Sequence, residues 1–487
     1  MNSIVTTGRN SFYSILLTPA VATWWIGTCA LFPSLYLLVH GEYGLLLTLM
    51  ISGMLLIFEQ HSRVLGMAAV IGFLIVLGDV RRITTMVSGN RGLDPLLLVG
   101  AIFTIYIAFP TIYGVKLRDP LSKIVLGLMA LMVLEIFNPL QGSIAVGISG
   151  AMFSLVPMLW FWIARIYGSD RTLYVLLFRV VLPLGVACAL LGLYQSFFGF
   201  FPWEMAWIKA MGVGYVWRGG FRPIGFANSG VEYNNLLMLT GVLIVGAALA
   251  GRRAYLFFLP VVFGGIIITS SRGPIVRLVF GAAIMWACSS RNVRAWIPRL
   301  VAGMVLGIGL MFYSARAAVG DDAAPAEESK NVHTMATNRI AGGLVHPLDK
   351  NYSSGGIHVD LFLLGIRRGF TNPGGSGLGA TTLGAVKFAT EGSNNALSTE
   401  VDISDQFVTL GFLGGFMYVF LIIMVCREIP KFLRAGATIS RLPTFGVLAA
   451  FVGGWIALGE YSIITITWLC LGAIAHSANQ RAVETSS

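Results

Sequence analysis

The sequence predicts an all-α, polytopic membrane protein of about 12–14 transmembrane helices with one large extracytoplasmic loop. Three observations lead there. Hydrophobic residues make up 56% of the 487 positions and charged residues 11%, where a soluble domain is about a quarter charged. Mean hydropathy is +0.79, which leaves too little polar surface to coat a water-soluble fold of this length. The apolar residues also fall in runs that reach, or nearly reach, the span of about 30 Å of hydrocarbon.

The runs lie near 20–39, 43–58, 63–79, 94–113, 121–138, 147–166, 172–196, 230–250, 254–270, 273–288, 296–314, 403–426, 443–459 and 461–478, with those at 43–58, 63–79 and 254–288 short. An even number of crossings puts both termini on one side. The N-terminal stretch has no small-residue cleavage site after a short apolar core, so it reads as an uncleaved lead-in to the first span. Four parts follow: an N-terminal bundle (1–198), a part with a basic outer loop and an SRG turn (199–315), the large loop (316–402) and the C-terminal helices (403–487).

Orientation follows from the positive-inside rule. Arg252 and Arg253, then Arg291, Arg294 and Arg299, then Arg427, Lys431, Arg434 and Arg441 alternate with loops poor in Lys and Arg. Lys116, Arg118, Lys123, Arg165 and Arg171 agree, and all of these are assigned to the cytoplasm. Arg81, Arg82 and Arg91 dissent, because the same count places them outside; either a short run is misjudged or these arginines act there. The net charge of +11 is spread over these breaks and forms no nucleic-acid footprint.

Two outer segments stand out. One is aromatic and basic, from Gly199 to Gly230; the other is the loop of about 87 residues from Arg316 to Asp402. In that loop GDDAAPAEESKN reads as disordered, GGIHVDLFLLGIRRGF as an amphipathic interfacial helix, and NPGGSGLGA as a break. The five cysteines lie in or at the ends of apolar runs and suggest neither a disulfide framework nor a metal site. His333, His346 and His358 match no metal spacing, so neither metal nor other cofactor is expected. GSGLG has too few glycines for a nucleotide cradle, and it falls in a compartment without nucleotides.

Arginine near hydrocarbon costs several kcal/mol unless paired or facing a cavity. Arg272 lies at an outer boundary between two runs, and Arg277 follows about 7 Å deeper by helical rise. Arg218 and Arg222, in WRGGFRPIG, share that face, as do Arg367 and Arg368 of the large loop. Should these six converge, their planar guanidinium groups suit a pyrophosphate. Snorkelling to water is the second reading for Arg272, and pairing with a carboxylate the second reading for Arg277. Where the loop re-enters the membrane, Glu400, Asp402 and Asp405 offer a general base. Acidic residues at a helix start are also favoured simply by the dipole, and Glu232 has the same two readings.

Taken in order, FRPIGFANSGVEYNN, ITSSRGP, GFTNPGGSGLGATT and TEVDISDQFVTLGFLGG resemble the O-antigen polymerase/ligase superfamily of bacterial envelope glycosyltransferases, over about residues 200 to 430. The resemblance implies a multi-pass protein of the bacterial inner membrane with its large loop periplasmic. It implies transfer of a glycan from undecaprenyl pyrophosphate to an acceptor hydroxyl, without metal. Arg218, Arg222, Arg272, Arg277, Arg367 and Arg368 would hold the leaving pyrophosphate, and Glu400, Asp402 or Asp405 would act as base, with Glu232 and His358 as further candidates. The ligase branch carries a histidine and a polar residue at the loop exit, where this chain has Glu400 and Val401. That departure favours a polymerase of O-antigen, capsule or exopolysaccharide repeats. A ligase acting on lipid A core or protein, and a lipid-linked sugar flippase or transporter, are the alternatives. The expected partners are the lipid-linked glycan, membrane lipid and a chain-length regulator, with no nucleic acid.

Overall fold

Helices begin where the sequence supplies caps. Asp119 accepts from Ser122 N at 2.7 Å ahead of Pro120, and Ser143 and Ser169 cap the helices that follow them. Ser229 caps Gly230–Leu249 by accepting from Glu232 N at 3.0 Å, while the Glu232 carboxylate reaches back to the Asn228 N–H at 2.8 Å. This is a capping box shifted by one residue.

A computed structural model describes residues 33–88, 94–113, 117, 119–211, 216–217, 220–269, 271–290, 292–319, 355–382, 398–399, 401–434, 436, 438–456 and 461–484. Outside the described residues lie the N-terminal lead-in with Cys29 and most of the 20–39 run, as well as Arg91, Lys116, Arg118, Arg218, Arg291, the 320–331 stretch, His333, His346 and Glu400.

Among the described residues, seven helices are long and apolar enough to cross a membrane: Tyr43–His61, Arg63–Val87, Ile144–Tyr167, Asp170–Phe198, Gly230–Leu249, Gly411–Leu433 and Tyr461–Ala478. Shorter apolar helices occupy Leu96–Ile112, Arg253–Ile267, Gly273–Cys288 and Trp296–Leu310. Helix Pro120–Glu135 stands at the 121–138 run. The fold is therefore the all-α, multi-pass membrane architecture. Gly230–Leu249 and Tyr461–Ala478 form its centre, with 83% of their windows buried, while Tyr43–His61 is peripheral at 11%.

Helix Leu96–Ile112 is apolar all round. Leu96, Val99, Phe103 and Ile107 are buried, whereas Leu98, Ile102, Ile105 and Phe109 form an exposed stripe at the same helical period. In water such a stripe is unfavourable; against lipid tails it is the expected outer surface.

Several expected spans are broken. The 403–426 run is two helices, Asp402–Thr409 (the exit helix) and Gly411–Arg434, separated at Leu410. Gly411 has φ +68, and a Cβ there would lie 2.0 Å from the Pro373 carbonyl oxygen, so the break is built into the packing. In place of the 443–459 run there is a helix only over Arg441–Ala450, after which the chain turns through 451–456. The 254–270 run opens with a 3-10 turn at Arg253–Phe258, and the 172–196 run contains a π-helical turn at Val175–Val181. Trp296–Val319 continues past the expected loop start at Arg316. Val216–Trp217 and Gly220–Phe221 form a two-residue antiparallel ladder within the basic outer segment.

A helix stands at the expected place in the large loop, over Gly355–Thr371 (the loop helix). Its Gly365 and Gly369, four apart, let its backbone meet the exit helix: a Cβ at Gly365 would lie 2.8 Å from Ser404 Cβ, and one at Gly369 2.7 Å from Phe407 Cβ.

Polar contacts divide the helix ends into two faces. On one, Arg165 pairs with Asp119 at 3.2 Å, Arg441 with Asp170 at 3.0 Å, and Arg63 with Glu59. This basic face carries Arg165, Arg252, Arg253 and Arg441, described arginines that the charge pattern assigns to the cytoplasm. The other, the loop face, gathers residues 79–82, 94, 135–141, 195–208, 222–232, 372–382, 398–409 and 453–462 through the contacts described next.

Candidate functional site

The loop face is organised around the segment 222–229, which joins the basic outer loop to the central helix Gly230–Leu249. Three residues from two helices grip its backbone. The Gln195 side-chain oxygen accepts from Ile224 N and Gly225 N, both at 2.9 Å. Asp79 N donates to Phe226 O at 3.1 Å. The guanidinium of Arg82 donates to Gly225 O at 2.8 Å and to Ala227 O. Every one of these groups needs a partner because the segment is largely buried.

Arg82 is only 1% exposed and lies 3.4 Å from Asp79 and 3.7 Å from Glu204, itself 0% exposed. Glu204 also accepts from Gln195 Nε2 at 2.5 Å and Phe201 N at 2.8 Å. Burial pushes the Glu204 carboxyl up; the Phe201 N–H and the charge of Arg82 pull it back. Next to this pair, Arg81 bonds Asp94 and, at 2.8 Å, Asn228 Oδ1, with its guanidinium 5.0 Å from the Trp207 ring centre. The dissenting arginines at 81 and 82 thus lie at the same end of the helices as the 222–229 segment. Gln195 and Glu204 were not singled out by sequence reasoning, and Arg82 was noted only as a dissenter from the charge pattern. The available signal was a charged Asp-Val-Arg-Arg stretch closing an apolar run on the arginine-poor side.

Glu232 is 3% exposed, with one oxygen held by Asn228 N and Nδ2 at 2.8 Å and the other by Ser462. It ties the start of the central helix to the start of the last one. The SRG turn reaches the same region, since Thr269 Oγ1 donates to Asn234 Oδ1 at 2.7 Å. Arg272 is the N-cap residue of Gly273–Cys288, and both it and Arg277 are half-buried. Arg222 is half-buried too, its Cβ 3.8 Å from where a Gly230 Cβ would stand. Arg222, Arg272 and Arg277 therefore belong to elements that pack on the central helix. Arg367, which is exposed, and Arg368 belong to the loop helix, which packs on the exit helix and on Gly411–Arg434. With Arg218 outside the described residues, the expected set of six resolves into these two groups.

The glycine turn after the loop helix is pinned from both sides. Ser376 N and Gly377 N donate to Val408 O and Thr409 O at 2.9 and 3.1 Å. Leu378 N donates to Glu135 O at 3.2 Å, Gly379 N to Gln141 Oε1 at 3.1 Å, and Asn138 Nδ2 to Gly375 O at 3.3 Å. The large loop is thereby docked onto the Pro120–Glu135 corner as well as the exit helix.

The two described carboxylates of the loop exit are both interior. Asp402 is 0% exposed; one oxygen accepts from Tyr418 Oη at 2.5 Å and Ile456 N at 2.8 Å, and its own N–H donates to Gly453 O at 2.8 Å. It joins the exit helix to the 451–456 turn, a holding role that keeps it from an acceptor hydroxyl. Asp405 is 2% exposed and accepts from Thr399 N at 2.7 Å, Thr399 Oγ1 at 2.8 Å and Ser398 Oγ at 2.9 Å. Burial pushes its carboxyl up to about 6, against those hydrogen bonds. His358 lies half-buried on the loop helix.

That shift has a pH consequence. Because the folded value lies above the ordinary aspartate value, the Asp405 contribution to stability is full below about pH 4. It falls as pH rises through about 6. Thermal unfolding in detergent should show the decline between those limits, and Asp405→Asn should flatten it. An unchanged slope in the variant would remove Asp405 as the source.

Among the described residues, no three His, Cys, Asp or Glu side chains gather to hold a metal ion. No family model matches the chain, and no curated protein matches it significantly. The functional reading therefore rests on the loop face itself, together with the sequence resemblance.

Proposed function

We propose that the protein is a membrane glycosyltransferase that polymerises undecaprenyl-pyrophosphate-linked oligosaccharide repeat units at the loop face, on the outer leaflet of a bacterial inner membrane. The observation that carries this reading is the gathering on one face of the 222–229 segment, the SRG turn, the docked glycine turn and the loop exit. These are the four segments on which the resemblance rests, and they come from four separate parts of the chain. A carrier would concentrate its polar groups near the bilayer midplane instead.

In the proposed reaction the acceptor hydroxyl oxygen forms a bond to the anomeric carbon of the donor sugar. The bond from that carbon to the pyrophosphate oxygen breaks, and undecaprenyl pyrophosphate leaves with the electron pair. The hydroxyl proton passes to a carboxylate. Arg222 and Arg272 hold the pyrophosphate, whose developing charge they stabilise most in the transition state. Asp402 and Asp405 are held inside the exit, so Glu400, two residues before that helix, is the proposed base. No metal is needed where arginine supplies the positive charge.

Deletion of the gene, followed by gel analysis of envelope glycan and extraction of lipid-linked intermediates, tests the reading. Single repeat units on lipid are the expected result. Long lipid-linked chains would instead identify a ligase, and glycan trapped on the cytoplasmic face a flippase.

A further inference from the structure

A cavity of about 880 Å³ opens on the basic face, away from the groups described above, and is lined by Tyr174, Arg252, Arg253, Tyr255, Phe258 and Ile439 among others. We infer that it binds the headgroup of an anionic phospholipid of the leaflet on that side.

The chemistry of the wall is two-sided. Arg252 and Arg253 are exposed at its rim, just past the end of the central helix at Leu249, and Arg179 stands 5.9 Å over the Tyr174 ring. Among the described residues no carboxylate pairs with these three arginines, and nearby Asp170 is already engaged by Arg441 at 3.0 Å and Ser440 at 3.2 Å. Two arginines lining the mouth and a third beside the lining Tyr174, with no carboxylate paired to them among the described residues, favour an anion. The end of the central helix opposes it with only about half a charge.

Below the rim the surface is aromatic and aliphatic. Tyr174 stacks on Phe178 at 5.6 Å, and Phe178 meets Tyr255 edge-on at 5.5 Å. Phe257, from the same 3-10 turn as Arg253, is 81% exposed and Leu256 40%. Exposed apolar side chains beside a cationic rim fit acyl chains under a phosphate, whereas a soluble metabolite would use only the rim.

A second observation falls on the same spot. The π-helical turn Val175–Val181 carries Arg179 and begins next to Tyr174. A π turn costs regular hydrogen bonding and recurs at functional sites. Here it brings Arg179 back over Tyr174 at the cavity edge.

The test uses the full-length protein in nanodiscs of mixed phosphatidylcholine and phosphatidylglycerol, read by native mass spectrometry for retained lipid. Wild type should retain phosphatidylglycerol selectively, and Arg179→Ala/Arg252→Ala/Arg253→Ala should weaken that retention by roughly 100-fold. Equal retention by the two proteins overturns the inference. Inorganic phosphate alone is the second probe: if it displaces the lipid and binds with the same arginine dependence, the ligand is a soluble phosphate and the lipid site is refuted. Should the triple variant not fold, a photo-crosslinking phosphatidylglycerol applied to wild type decides the matter. Attachment to the 174–178 or 253–258 turns supports the site, and attachment only elsewhere removes it.

Discussion

Arg82→Met is expected to destabilise the protein by about 3–5 kcal/mol, the usual cost of removing one partner from a buried charge pair. The substitution keeps an unbranched apolar stem and removes the charge and the donors. Gly225 O and Ala227 O then lose their donor inside the protein, and Glu204 keeps a buried carboxyl with no cation beside it. Arg82→Lys restores a charge but not the planar fork whose two nitrogens reach Gly225 O and Ala227 O, so it should fall between the variant and wild type. Arg82→Met/Glu204→Gln should recover part of the loss, because the orphaned charge is gone; a double-mutant cycle on thermal unfolding reads the coupling. A single variant within about 0.5 kcal/mol of wild type, the range of an ordinary surface change, would show that the grip on segment 222–229 is not needed.

The second large effect concerns chemistry. Arg222→Ala and Arg272→Ala should each lower chain growth by about 100- to 1000-fold, the range seen when one donor to a developing negative charge is removed. Protein abundance should be unchanged, because both side chains are half-buried near the surface of the loop face rather than packed in the core. Lysine at either position should restore only part of the rate, since a compact ammonium cannot bind two phosphate oxygens in a plane. Normal glycan length in either variant removes that arginine from the mechanism.

Much of the architecture could be read from the chain. Hydropathy located most of the described apolar helices, although the 63–79 run extends to Ser88 and the 443–459 run gives a helix that ends at Ala450, and the amphipathic period of GGIHVDLFLLGIRRGF anticipated the loop helix. Features that depend on distant partners could not be read in the same way. The break at Leu410 follows from Gly411 meeting the Pro373 carbonyl, thirty-eight positions earlier in the chain, so a continuous apolar run gave no warning of it. Arg82 looked like a topological error because its partners, Gly225 and Ala227, lie 143 and 145 residues away.

The carboxylates illustrate the same limit. Asp402, Asp405 and Glu232 read equally well as bases or as helix-start residues, and composition cannot separate the two. The hydrogen bonds do: those to Tyr418 and Ser462 let Asp402 and Glu232 tie one helix to another, while those to Ser398 and Thr399 let Asp405 hold the stretch just ahead of its own helix. The arginines were legible as a set on one face, whereas their division between the central helix and the loop helix depended on packing.

The most direct test of the central proposal is reconstitution of the purified protein with a single undecaprenyl-pyrophosphate-linked repeat unit, without added metal, followed by separation of the lipid-linked products. The predicted result is a ladder of two and more repeats with release of undecaprenyl pyrophosphate in step with each bond formed, absent in Arg272→Ala. Failure of wild type to lengthen the glycan, with the donor intact and the protein folded, would contradict the assignment as a polymerase.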